Sequence, residues 1–152
     1  RPKVDVCRAS TRHMAGSQQA PTTAGRAGAL GRTHWIGIVA AMVSALVHLV
    51  LGGQFLLSGL ETGVTVSLVM GASFLVAAAG FVGGVWLVVV DRFRPTVYLL
   101  GIPFTAGQIA LWYALNSPGL PAPPAVTPTS GVDKLAQVVL IGALAVLYRR
   151  ES

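Results

Sequence analysis

Four stretches of this chain carry no charged side chain at all: Trp35–Leu57, Gly63–Val90, Thr96–Leu115 and Leu135–Leu147. A helix of a soluble protein needs a polar face, and these stretches have none. Each of the first three reaches the roughly 20 apolar residues that cross a hydrocarbon core of about 30 Å. The fourth reaches it nearly, if it begins at Gly131. Charged residues make up only 11% of the 152, against roughly 25% in an ordinary soluble domain. The expectation is an all-α integral membrane four-helix bundle, multi-pass in the cell membrane, with the lipid bilayer as its main partner.

The boundaries follow from local signals. Residues 1–33 are rich in Ala, Gly, Ser, Thr and Arg without a hydrophobic period, and read as a disordered basic tail. Residues 34–150 form the transmembrane domain, with helices expected at about 35–57, 59–90, 96–115 and 131–148. Ser58-Gly-Leu-Glu61 reads as a capping box opening the second helix, and Ser130-Gly-Val-Asp133 as one opening the fourth. Pro95 suits the first turn of the third helix. The prolines of Asn116–Ser130 imply an extended, polyproline-like connection. The run Trp35–Leu57 is longer than the roughly 7–15 residues of a signal-peptide core. Met14 opens a more ordinary start than Arg1, and whether residues 1–13 are native is a question that N-terminal sequencing of endogenous protein decides.

Basic residues set the orientation. Arg26, Arg32, Arg92, Arg94, Arg149 and Arg150 flank helix ends on one side, and Lys134 alone lies on the other. By the positive-inside rule both termini are cytoplasmic. Trp35, Tyr98 and Tyr148 then fall at the inner interface, Trp112 and Tyr113 at the outer. The net charge of +6 does not point to nucleic acid, because the basic tail has no aromatic residue to stack on a base. Cys7 is the only cysteine and has no internal partner for a disulfide.

Small residues mark where membrane helices approach closely. In the first helix Gly37, Ala41, Ser44, Ala45, His48 and Gly52 share one face, so His48 is expected to point into the bundle. Ser73, Ala77, Gly80 and Gly84 form the matching stripe on the second helix, and Leu at Gly80 or Gly84 is expected to loosen the packing. Gly101, Thr105, Gln108 and Trp112 share a face of the third helix, and Pro103 should kink it. Asp133 and Gln137 lie one turn apart on the fourth.

Counting at 1.5 Å per residue, His48 lies ~14 Å from the outer end of its helix, Met70 and Gln108 ~10 Å, and Gln54 and Gln137 ~5 Å from theirs. His48, Gln54, Gln108 and Gln137 are therefore the candidate polar cluster, in the outer half. An ionisable group at such depth is a functional candidate, although a neutral imidazole bonded to a neighbouring Gln, Ser or Thr is the simpler reading, since such partners are available at similar depth.

The likeness to known proteins is concentrated in a few strings. Tyr98-Leu-Leu-Gly-Ile-Pro-Phe-Thr-Ala-Gly-Gln-Ile-Ala-Leu-Trp-Tyr113, His34-Trp-Ile-Gly-Ile38, His48-Leu-Val-Leu-Gly52, Asp133-Lys-Leu-Ala-Gln137 and Leu147-Tyr-Arg-Arg-Glu-Ser152 resemble a family of small four-helix membrane proteins from haloarchaea, a domain of unknown function. The resemblance covers about residues 33–152 and implies a location and a fold, not an activity.

No catalytic motif stands out: there is no His-Glu-x-x-His, Gly-x-Ser-x-Gly or Cys/His cluster of ligand spacing. The reading is a non-enzymatic accessory or scaffold membrane protein without a cofactor, acting through a membrane-protein partner or as a homo-oligomer. The alternative is a small channel or transporter using the outer polar cluster. Against that stands the expectation that no Asp, Glu, Lys or Arg lies within the membrane. A third reading, a haem-binding redox subunit with His48 and Met70 as axial ligands, lacks a second well-placed histidine.

Overall fold

The computed structural model describes residues 30–117, 119 and 124–151. The expected disordered tail lies outside these residues, apart from its last positions, as does part of the proline-rich connection. Four helices follow in order: α1 (Arg32–Thr62), α2 (Thr65–Val89), α3 (Arg94–Asn116) and α4 (Pro128–Glu151). All four are long and apolar enough to cross a membrane. The chain is an integral membrane four-helix bundle. Large apolar side chains such as Val39, Leu46, Val76, Trp86, Leu100 and Leu135 cover its outside, as hydrocarbon surroundings require. Going round the bundle, α1 packs on α2 and α4, and α3 packs on α4, while α2 and α3 touch least.

Two helix boundaries differ from expectation. Ser58–Glu61 does not open α2; it is the last turn of α1, where the Thr62 hydroxyl donates to Ser58 O at 2.6 Å. The reversal comes at Gly63, whose φ of +70° only glycine adopts freely, and whose N–H closes the helix onto Gly59 O at 2.9 Å. The hairpin is as short as expected but sits one turn and more further along. His48 is consequently ~21 Å from the outer end of α1 rather than ~14 Å.

The capping box of α4 also shifts, one turn earlier. Thr127 and Ser130 exchange it: Ser130 N–H donates to Thr127 Oγ1 at 3.2 Å, and Thr127 N–H donates to Ser130 Oγ at 2.9 Å. Pro128 then occupies the first helical position, where its missing N–H costs nothing. Asp133 is thereby freed from capping and lies in the second turn.

Close approach of α1 and α2 rests on three glycines. A Cβ at Gly71 would come within 2.7 Å of Leu56 N, and one at Gly59 within 2.8 Å of Leu68 N; one at Gly52 would meet Leu75 at 3.0 Å. The expected stripe of Ser73, Ala77, Gly80 and Gly84 does not make this contact. Ser73 is exposed and bonds back to Val69 O, while Gly80 and Gly84 turn toward α3. Gly37, Ala41 and Ser44 do bury their face of α1, Gly37 against Ala143 and Leu140 of α4.

At the opposite end, the turn between α2 and α3 holds Asp91 and Phe93 at φ of 57° and 54°. Arg94 secures it, donating from Nε to Val88 O at 3.0 Å and pairing with Asp91 Oδ1 at 3.0 Å. Pro95 lies in the first turn of α3 as expected.

Candidate functional site

The polar interior begins on α1. Ser44 and His48 are one turn apart on its buried face, and His48 Nδ1 lies 2.8 Å from Ser44 O. A carbonyl only accepts, so Nδ1 carries the proton. The imidazole packs against Phe74 and Phe81 of α2, with ring centroids 5.2 and 5.6 Å away.

From α4, Asp133 brings its carboxylate to the same place. Oδ1 stands 3.5 Å from His48 Nδ1, and both side chains are almost wholly buried. The pair is at ion-pair distance without being a hydrogen bond, and Oδ1 has no hydrogen-bond partner. Oδ2 is held by Lys134 Nζ at 2.7 Å. The same ammonium donates to Gln137 Oε1 at 2.8 Å and lies 5.6 Å from the centre of the Trp112 ring.

Lysine only donates, which fixes how the glutamines are oriented. Gln137 must turn Oε1 to Lys134, so its Nε2 faces Gln108 Oε1 on α3, at a long 3.4 Å. Gln108 Nε2 is then left as a buried donor without a partner, as is the Ser44 hydroxyl. Helices α1, α3 and α4 thus converge on one polar centre with an acceptor, a donor and a hydroxyl unsatisfied. Counted from Trp35 and Tyr148, His48 and Asp133 both lie ~20 Å along their helices.

The family model for a family of unknown function, DUF7475, matches residues 23–148, which takes in all of these side chains. The chain belongs to the DUF7475 family. No curated protein and no solved structure matches it.

Of the four residues expected to cluster in this DUF7475 chain, three share the centre: His48, Gln108 and Gln137. Gln54 does not, because its side of α1 is exposed. The expectation that no charged residue enters the bundle is overturned by Asp133, which is 4% exposed, and by its neighbour Lys134. Asp133 faces inward because it lies one turn from Gln137 on the buried face of α4. A signal for this was present, since Asp133, Gln137, Leu140 and Leu144 recur at helical spacing and are all buried.

A second polar group lies where the start of α1 meets the end of α4. His34, in the first turn of α1, accepts the Gly31 N–H on Nδ1 at 3.2 Å. Its Nε2 lies 2.9 Å from Glu151 Oε1 of α4, although the geometry is not that of a hydrogen bond. Tyr98, completely buried, sets its ring edge-on to His34 at 6.3 Å.

Proposed function

We propose that this chain is a non-enzymatic protein of the cell membrane, working as a small channel or transporter in which His48 and Asp133 form a proton-exchanging site. One observation supports the reading: a carboxylate and an imidazole, 3.5 Å apart on adjacent helices, buried within the membrane-spanning part of the bundle. Ionisable side chains are costly there and mark ion and proton paths.

The chemistry suits such a role. Lys134 occupies one oxygen of Asp133, leaving the other oxygen to face the imidazole. A proton taken up at Nε2 of His48 makes an imidazolium whose Nδ1 lies 3.5 Å from the Asp133 carboxylate, and its departure restores the neutral ring. With both termini cytoplasmic, as the basic residues argue, Asp133 lies near the outer end of α4. The accessory reading drew on the expected lack of charged residues within the bundle, and loses that support with Asp133.

The test is proton flux into vesicles holding the full-length protein and an entrapped pH-sensitive dye, under an imposed potential. Wild type should collapse the gradient, and Asp133→Asn and His48→Leu should each slow this by about tenfold or more, the scale of one lost charge-assisted interaction, with helical content retained. Absence of flux in wild type, or equal flux in all three proteins, rejects the reading.

A further inference from the structure

Where α2 and α3 touch least, an apolar cavity of about 70 Å³ lies in the half of the bundle away from His48 and Asp133. Gly80, Gly84 and Val85 of α2 line it opposite Val97 and Gly101 of α3, with Leu144 of α4 beneath. Its far end is closed by Phe81 and Phe104, edge to face at 5.5 Å, and by Thr105, whose hydroxyl is already satisfied by Gly101 O at 2.8 Å. No polar group along these walls awaits a partner, so the slot suits hydrocarbon.

The near end is different. Tyr98 and His34 line it. The Tyr98 hydroxyl is fully buried, and the Glu151 carboxylate acts on it both by charge and as its hydrogen-bond acceptor, although their geometry falls short of a full hydrogen bond. One turn before it, Arg94 is 7% exposed, and its Nη2 has no partner once Nε has bonded Val88 O and Asp91. A buried donor such as Arg94 Nη2 is costly unless something accepts from it. Among the described residues, Arg32, Arg92, Arg149 and Arg150 are exposed around the same end, against Asp91 and Glu151.

We infer that this slot holds one hydrocarbon chain of an anionic membrane lipid, with the headgroup oxygens accepting from Arg94 and the exposed arginines around that end. From Tyr98 to Thr105 the slot runs ~10 Å along α3, enough for the first part of a chain, the remainder passing out between α2 and α3. The absent side chain at Gly84 keeps it open: a Cβ there would meet only Val97, at 3.8 Å. This inference is independent of the proton-exchange reading.

Native mass spectrometry of the full-length protein in mild detergent, with phosphatidylglycerol or phosphatidylcholine of the same acyl chains added, tests it. One phosphatidylglycerol per chain should be retained, about tenfold more strongly than phosphatidylcholine, the scale of a charge-assisted hydrogen bond. Gly84→Leu should lower retention of both lipids, and Arg149→Gln combined with Arg150→Gln should reduce the preference between them. Equal retention of the two lipids by wild type, or wild-type retention by Gly84→Leu, overturns the inference. Should Gly84→Leu not fold, wild type is photolabelled with phosphatidylglycerol bearing a diazirine in its chain. Adducts should concentrate on Val85 and Val97; labelling spread evenly over outward-facing Val82 and Leu100 overturns it as well.

Discussion

Asp133 and His48 meet across the α1–α4 interface at 3.5 Å, each the nearest opposite or potentially opposite charge the other has from a different helix. Lys134 neutralises Asp133 from within α4, so the inter-helix pair depends on a charge already half satisfied. That division governs what substitutions at the pair should do.

Asp133→Asn removes the anion but leaves Lys134 charged and mostly buried. Breaking a buried pair costs about 3–5 kcal/mol, and Lys134 recovers part of this by extending toward the membrane surface. The expected loss is about 2 kcal/mol, read as a lower unfolding midpoint in detergent. An unchanged midpoint would mean that the Asp133 charge is not buried as described.

At His48 the two conservative directions should separate. Gln can still donate to Ser44 O, so His48→Gln should unfold within about 1 kcal/mol of wild type. Leu donates nothing and sets a methyl group against the unpaired Asp133 Oδ1, for a loss of about 1–3 kcal/mol. Circular dichroism melts of both variants check this; equal melts would show that the Nδ1 contact carries no stability.

Glycines on α2 should differ according to what they face. Gly71→Ala drives a methyl group into the backbone of α1 at Leu56 and should destabilise by about 1–3 kcal/mol, as overpacking does. Gly84→Ala meets only Val97 at ordinary contact distance and should be neutral. Gly80 lies between these, since its Cβ would strike the tip of the Phe104 ring, which can turn aside. Equal loss at 71 and 84 in a thermal unfolding series would contradict the packing described.

Thr127→Ala removes one half of the α4 capping box. A lost cap costs about 1 kcal/mol. Hydrogen exchange should quicken in the first turn, residues 128–131, and leave the rest of α4 unaffected; exchange unchanged at Ser130 would place the helix start elsewhere.

The apolar lengths of the chain made the helices legible, and the small residues of α1 made its buried face so. Both misplaced boundaries came from reading an Ser-x-x-acid pattern as a cap. Ser58 and Glu61 satisfy that pattern inside a helix, where it has no meaning, because Gly63 ends the helix more effectively than Ser58 could begin another. Asp133 was assigned to the second such pattern and so was not recognised as a buried charge. Gln54 erred for a different reason: its depth was reasonable, but depth along a helix says nothing of which side a residue occupies. The weak α2–α3 contact has no local signature, since it depends on how all four helices close together.

The separation of His48 from Asp133 along the chain has a bearing on biosynthesis. At ~5–20 residues per second, several seconds of synthesis divide the emergence of α1 from that of α4. Throughout that interval His48 has the Ser44 carbonyl of its own helix and the Phe74 and Phe81 rings of α2, but no carboxylate. The α1–α2 hairpin must therefore wait in the membrane with its polar face uncovered, and whatever shields that face until α4 arrives decides the yield of folded protein.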